Sequence, residues 1–237
     1  MHKNHLESVV QRVAGEEFKF FADKAAYWIR RSTLLVADLH WGKTATFQAA
    51  GIPIPETVLA EDLRRLTALI RASGAERVMV LGDLIHSKGA LTPPCRDMIS
   101  AWRRSQPVAM GVVLGNHDRA MRLIPEAWDI ENCGESAIDG PFCFRHEPHE
   151  SPTHHVWAGH VHPMLMMGAG PDRLRLPCFW LRERMTLLPA FSVFTRGVNI
   201  KLNRRECALM VHNQGIFPVG RLGSEASTSR ETSTGIA

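Results

Sequence analysis

Residues Met110–Ala120 read MGVVLGNHDRA. A run of small apolar residues, Gly111 to Leu114, stops at Gly115, and Asn116, His117 and Asp118 follow without a spacer. A short apolar run bounded by glycine is the pattern of a strand buried on both faces, and such strands build parallel sheets. In open α/β sheets, sites form outside the carboxyl ends of the strands. Three side chains that each bind metal or move protons stand at that end here. The pattern recurs along the chain. LLVADLH ends in Asp38 and His40, VMVLGDLIH carries Asp83 with His86 nearby, FCFRH ends in His146, and VWAGHVH ends in His160 and His162. Gly82, Gly115 and Gly159 precede three of these clusters, where glycine permits a tight turn or a close backbone approach. Asp38/His40 and His160/His162 are spaced i, i+2. In an extended chain that spacing aims both side chains the same way.

Outward from this stretch the chain reads as an α/β unit. Residues 1–15 suit a short helix or loose arm. Apolar runs near 18–21, 26–29 and 33–37 suit short strands, and GIPIPE at 51–56 is a loop broken by Pro53 and Pro55. Leu59, Leu63, Leu66 and Ile70 form one helical stripe that Gly74 ends. RVMVLGD is a buried strand, a helix follows over 94–104, and a strand over 108–114. Strand–helix–strand alternation implies parallel pairing. After about residue 130 helical periods fade. GPFCFRHEP, HHVWAGHVHP, LRLPCFWL, RMTLLPAFSVFT and ALMVHNQGIFPV are short strands between turns. No linker intervenes, so a second sheet is expected to pack on the first within one domain spanning residues 1–220. The last 17 residues, from Arg221, hold seven Ser/Thr and few large apolar groups, the composition of a disordered tail.

Composition narrows the classes. The 237 residues are 45% hydrophobic and 22% charged, ordinary values for a globular chain with a sizeable core. No apolar run is long enough for a transmembrane helix. MHKNHLESVVQRVAGEEF carries charges throughout and no apolar signal core, so no membrane association and a cytoplasmic location are expected. The five cysteines are scattered and lack a C-x-x-C pair, which speaks for reduced thiols and against a thiolate zinc site. Between Asp172 and Arg205, eight Lys/Arg stand against two acids. That segment is either a face for an anionic polymer or a solvated arginine-rich surface.

The clustered donors are oxygen and imidazole nitrogen, a set suited to Mn²⁺, Fe²⁺ or Zn²⁺. Seven of them, Asp38, His40, Asp83, Asn116, His146, His160 and His162, are too many for one tetrahedral ion. They fit two ions about 3.5–4 Å apart sharing a carboxylate. The ordered series D-x-H, G-D, G-N-H-D, H and G-H-x-H resembles the calcineurin-like metallophosphoesterases across residues 33–163. The resemblance implies a four-layer sandwich, two packed mixed β-sheets flanked by helices. It implies that Asp38, His40, Asp83 and His162 hold one metal, and that Asp83, Asn116, His146 and His160 hold the other, with Asp83 the bridge. It also makes His117 the histidine that touches the scissile phosphate or protonates the leaving oxygen, and Asp118 its orienting partner. ADLHWGK, GDLIHS and the later LPCFWL and LPAF are similar to the bacterial ligase-associated DNA damage response endonucleases of PdeM type. That narrower likeness implies two Mn²⁺ ions, DNA as substrate, a role in DNA repair, and a repair ligase, helicase and exonuclease as partners. Where many superfamily members carry G-D-x-x-D-R, His86 and Ser87 follow here. The missing arginine separates the chain from protein phosphatases, which grip a phosphomonoester with it.

Several residues have two readings. His86 is an outer-sphere or substrate residue, or a packed turn residue. Lys43 either reaches a phosphate as a point charge or is solvated. His149, His154 and His155 lie in a polar loop and are expected to be exposed. Trp41, Trp157 and Trp180 are expected in the core. Competing with a DNA endonuclease are a small-molecule phosphodiesterase or nucleotide pyrophosphatase with the same centre, and a non-catalytic scaffold of this fold. Scaffold members lose ligands or the catalytic histidine, and here all are present.

Overall fold

The computed structural model describes residues 7–49, 51–52, 57–87, 89–116, 124–168, 170, 173–193, 195–213 and 215–220. The expected tail from Arg221, the prolines of GIPIPE, and the expected catalytic pair His117 and Asp118 lie outside these residues. The first sheet is ordered as the chain runs: β1 (Ser8–Val13), β2 (Glu16–Phe21), β3 (Ala25–Trp28), β4 (Thr33–Val36), β5 (Arg77–Leu81), β6 (Ala109–Val113) and β7 (Glu131–Asn132). β1 to β4 form an antiparallel meander. β4, β5, β6 and β7 pair in parallel, as the strand–helix–strand rhythm requires.

Within the expected helix or arm over residues 1–15, of which 1–6 lie outside the described residues, Ser8–Val13 is a strand instead. Val9 and Val13 are four apart, which mimics a helical stripe, but Ala14 (φ 47) and Gly15 (φ 84) make a two-residue turn that pairs Val13 with Glu16. Both turn residues are left-handed, the geometry that matches hairpin twist. An alanine in that conformation is uncommon, so the signal was weak.

The helices α1 (Lys43–Ala49), α2 (Thr57–Ser73) and α3 (Pro93–Ser105) lie between the parallel strands in sequence. Leu59, Leu63, Leu66 and Ile70 of α2 and Cys95, Ile99 and Trp102 of α3 share a core with Leu34, Val36, Val78, Val80, Met110 and Val112 of the sheet. Burying each large side chain contributes about 1.5–3 kcal/mol. The intervening residues Leu35, Met79, Leu81 and Val113 face the opposite way, into a second core shared with the second sheet. Both faces are covered, so these strands are apolar at nearly every position.

The second sheet contains β8 (Ser136–Asp139), β9 (Phe142–Arg145), β10 (His155–Ala158), β11 (Pro163–Met167), β12 (Leu174–Leu181), β13 (Met185–Leu187), β14 (Val198–Asn199), β15 (Cys207–His212) and β16 (Gly215–Gly220). It is mixed: β9, β10 and β13 are mutually parallel, while β8–β9, β11–β12 and β15–β16 are antiparallel pairs. Phe142, Phe144, Trp157 and Phe179 point into the shared core and meet Phe18, Phe20 and Trp28 there. The result is an α/β sandwich. The outer face of the second sheet carries its own apolar clusters around Val156, Met185 and Leu187, and around Cys178 and Met210. Trp41 and Trp157 are buried, and Trp180 packs half-buried against both outer clusters. His155 corrects its expected exposure: it sits at the start of β10, buried, with Nε2 2.9 Å from Thr186 Oγ1.

Candidate metal centre

Six of the seven expected ligands converge where the carboxyl ends of β4, β5, β9 and β10 meet. Asp38 follows β4, Asp83 follows β5, His146 follows β9, and His160 and His162 follow β10. His40 joins them from the loop after Asp38. The loops after β4 and β5 continue the ladder beyond the strands: Asp38 N–H donates to Gly82 O, His40 N–H to Asp83 O at 2.9 Å, and Trp41 N–H to Leu84 O at 2.8 Å. This zipper holds Asp38, His40 and Asp83 side by side.

Asp38, His40 and His162 have one donor atom each within 4.8 Å of the others, and so do Asp38, Asp83 and His146. Asp38 is fully buried, and Asp83, His40 and His146 are almost so. Asp38 Oδ1 lies 3.2 Å from His162 Nε2, and His146 Nε2 lies 3.6 Å from Asp83 Oδ2 and 3.0 Å from His160 Nδ1. The remaining ring nitrogens are committed to backbone: His162 Nδ1 donates to Arg196 O at 2.8 Å, and His146 Nδ1 to Leu81 O at 3.2 Å. Those bonds turn each Nε2 into the centre as a lone-pair donor, the usual outer support of a metal-binding histidine. Buried carboxylates cost several kcal/mol per ion without a compensating cation. The donor set therefore fits divalent metal. Asp38 is common to both groups, and His160 adjoins the second through His146. Asn116 stands exposed just past β6.

The expectation that i, i+2 pairs lie on extended backbone is corrected. Asp38 (φ 57), His40 (φ 47), Asp83 (φ 45), His160 (φ 64) and His162 (φ 48) are all left-handed. Such conformations cost about 1–3 kcal/mol each and cluster at functional sites. The side chains converge through turns, held by bonds such as His160 N–H to Asp38 Oδ2 at 3.1 Å. The preceding glycines have a steric role. A Cβ on Gly82 would overlap the His146 ring, one on Gly115 would overlap Asp83, and one on Gly159 would stand 2.6 Å from Asp38 Oδ2. Each glycine vacates the volume that a neighbouring strand's ligand fills.

Electrostatics follow from burial. For His162, burial opposes protonation, but the bond to Asp38 and its charge prevail and raise the ring above the ordinary histidine range. Burial, and then the His146 ring, lower His160. Lys43 is not solvated: it is buried, Nζ donates to Thr195 Oγ1 at 2.8 Å, and burial lowers its pKa to about 8 against the opposing pull of Asp38. His86 packs edge-on against His40, ring centres 5.4 Å apart, and stacks on Phe47, so it belongs to the wall of the centre.

Sequence reading missed a clamp behind the centre. Lys24 Nζ donates to Ala190 O at 3.0 Å and Phe191 O at 3.2 Å, and Arg65 donates to Phe191 O and to the buried Asp62. Burial, reinforced by Arg65, lowers Lys24 to about 7. With Lys43 on Thr195, these cations pin the segment leading to Arg196, whose carbonyl orients His162. A lone lysine in a turn gives no sequence signal, because its partners lie about 166 residues away.

Buried carboxylates and imidazoles gathered at the strand ends of an α/β sandwich define a metal-dependent phosphoesterase. Among solved structures, the chain is similar to Pseudomonas putida nuclease MPE, with 34% identity over 90% of this chain and 100% of that one and a TM-score of 0.78. The chain belongs to the calcineurin-like metallophosphoesterases. The E. coli phosphoesterase Yfce matches at 15% identity over 84% of this chain and 97% of its own, with a TM-score of 0.36, too remote to bear on the argument. No family model and no curated protein matches the chain.

Proposed function

We propose that the chain is a two-metal phosphodiesterase that hydrolyses DNA, with Mn²⁺ as its metal and DNA repair as its setting. The observation that carries the reading is the pair of donor groups at one rim, Asp38–His40–His162 and Asp38–Asp83–His146, with His160 against His146, built wholly from oxygen and nitrogen. Asp83 is assigned as the bridge and Asn116 as a further ligand of the second ion. When bound, the ions supply Lewis-acid activation of the attacking water and neutralise charge on the phosphate. His117, next to Asn116, donates a proton to the leaving oxygen, a contribution of about 10²–10⁴-fold. Asp118 fixes the tautomer of His117. Lys43, buried beside Asp38, adds positive charge on the substrate side. The likeness to a protein named a nuclease supports a polynucleotide substrate. The five cysteines are free thiols, in keeping with a cytoplasmic setting. Among the described residues no helix is long and apolar enough to cross a membrane. A repair ligase, helicase and exonuclease stay as candidate partners.

The test is hydrolysis by the purified protein with Mn²⁺ of plasmid DNA, linear DNA, RNA and a chromogenic phosphodiester. Cleavage of DNA in preference to a nucleotide or small diester supports the reading. Turnover of nucleotides with intact DNA left over would replace it with the small-molecule alternative.

A further inference from the structure

The basic segment divides into two environments. Arg182 pairs with Glu206 at 3.1 Å and approaches Glu150, and Arg184 donates to Ser151 O at 2.6 Å. These arginines are neutralised or engaged where they stand. The β11–β12 hairpin differs. Of the eight large apolar side chains most exposed among the described residues, four cluster on it and on the adjoining β14: Met166, Met167, Leu174 and Val198. Arg173, Arg175, Arg196 and Lys201 are exposed around them, and the described residues of β11, β12 and 195–205 include no acid.

Register connects one face of this hairpin to the metal centre. Met164 pairs with Pro177 and with Asn199, and Met166 pairs with Arg175, so all five share a face. Met164 and Pro177 also line a cavity of ≈ 80 Å³ together with His162, Lys24 and Thr195. The face therefore runs without interruption from His162 outward to Met166 and Arg175. At about 3.3 Å per residue, Met166 lies roughly 10 Å along β11 from Pro163, the residue after His162, the axial length of about three stacked nucleotides. Arg175 is held for use: Nε donates to Asn199 Oδ1 at 2.6 Å and Nη2 to Gly197 O. A guanidinium carries five N–H donors, so others remain for a phosphate.

We propose that this face is the track for the polynucleotide chain flanking the scissile phosphate. Arg175 grips a backbone phosphate, and Met164, Met166 and Pro177 form the floor against which a base or sugar lies. A flexible thioether surface beside a fixed guanidinium suits a polymer of anionic links and flat apolar faces. The proposal rests on the nuclease reading above.

The experiment compares Arg175→Gln and Met166→Glu with the wild-type protein. Each is assayed with Mn²⁺ on a labelled DNA oligonucleotide and on a chromogenic diester, over a range of salt. The readouts are the oligonucleotide-to-diester ratio of kcat/KM and the slope of log KM for the oligonucleotide against log salt. Met166→Glu sets a carboxylate beside the phosphate path and is expected to lower the ratio about ten-fold. Arg175→Gln is expected to lower it several-fold and to reduce the salt slope by about one phosphate's worth, 0.7–0.9. Met166 faces Arg175 across the hairpin, so any effect relayed to His162 is read on the diester as well and cancels in the ratio. Ratios within two-fold of wild type in both variants, with the salt slope unchanged, would overturn the track while leaving the nuclease reading intact. A wild-type protein that hydrolyses the diester but no oligonucleotide would overturn both.

Discussion

Gly159→Ala tests whether the glycines before the ligands are there for space. The residue precedes His160, and its φ is not left-handed, so alanine is not excluded by backbone conformation. The added Cβ would stand 2.6 Å from Asp38 Oδ2 and 2.9 Å from Leu81 O, where ordinary contact begins at 3.4 Å. Something must move by about 0.8 Å. If Asp38 recoils, it loses the 3.1 Å bond from His160 N–H and its facing of His162. If the backbone at 158–160 recoils, His160 and His162 are carried away instead. Both routes displace a ligand. Alanine gains about 0.4–1 kcal/mol by restricting the unfolded chain, while overpacking costs about 1–3 kcal/mol, so a modest net loss of stability is expected. The larger effect is functional. A displacement near 1 Å at a reacting centre costs about 10²-fold, or about 2.7 kcal/mol of transition-state stabilisation. Titration of the metal-free protein with Mn²⁺, followed by kcat/KM on a chromogenic diester, reads both effects. Weaker metal binding and a kcat/KM about 100-fold down are expected, with the thermal transition lowered only slightly. Wild-type metal affinity and kcat/KM within two-fold would refute the steric assignment.

Asp83→Ala is expected to remove both ions and abolish hydrolysis, and near-normal metal content by elemental analysis would overturn Asp83 as the bridge. His117→Ala is expected to keep the metals while cutting kcat on DNA, with a smaller loss on a diester whose leaving group needs no proton; equal losses would move His117 from proton donor to transition-state or metal binding. His155, lowered by burial from 6.5 to about 4, is neutral in the fold. Its contribution to stability is complete above pH 6.5 and is lost progressively as pH falls to about 4, on the order of 3 kcal/mol in total. His155→Gln should flatten that part of the stability–pH curve measured by urea unfolding, and an unchanged curve would show that other groups carry the acid sensitivity.

Much of this protein was legible in the sequence because the information was local. Two-sided burial makes β4, β5 and β6 continuously apolar, and the α2 stripe at Leu59, Leu63, Leu66 and Ile70 is a single-face pattern; both signals come from a strand's or helix's own period. The ligand types were legible for the same reason, since donor chemistry belongs to the side chain and the strand ends place it. Tertiary structure decided the rest. The segment before Glu16 suited a short helix or loose arm until pairing with β2 made Ser8–Val13 a strand. His155 looked like a loop residue until β9 and β13 enclosed it. Asp38 and His162 converge through left-handed turns rather than extended backbone, and a backbone cannot sustain those turns without bonds from distant segments. Lys24 and Arg65 act on carbonyls more than a hundred residues away, and Arg182 and Arg175, alike in sequence, are separated by whether a carboxylate happens to face them. Steric exclusion at Gly82, Gly115 and Gly159, burial, and long-range hydrogen bonding depend on which atoms share a volume. A sequence fixes its residues' chemistry directly, but shared volume exists only once the two sheets have packed.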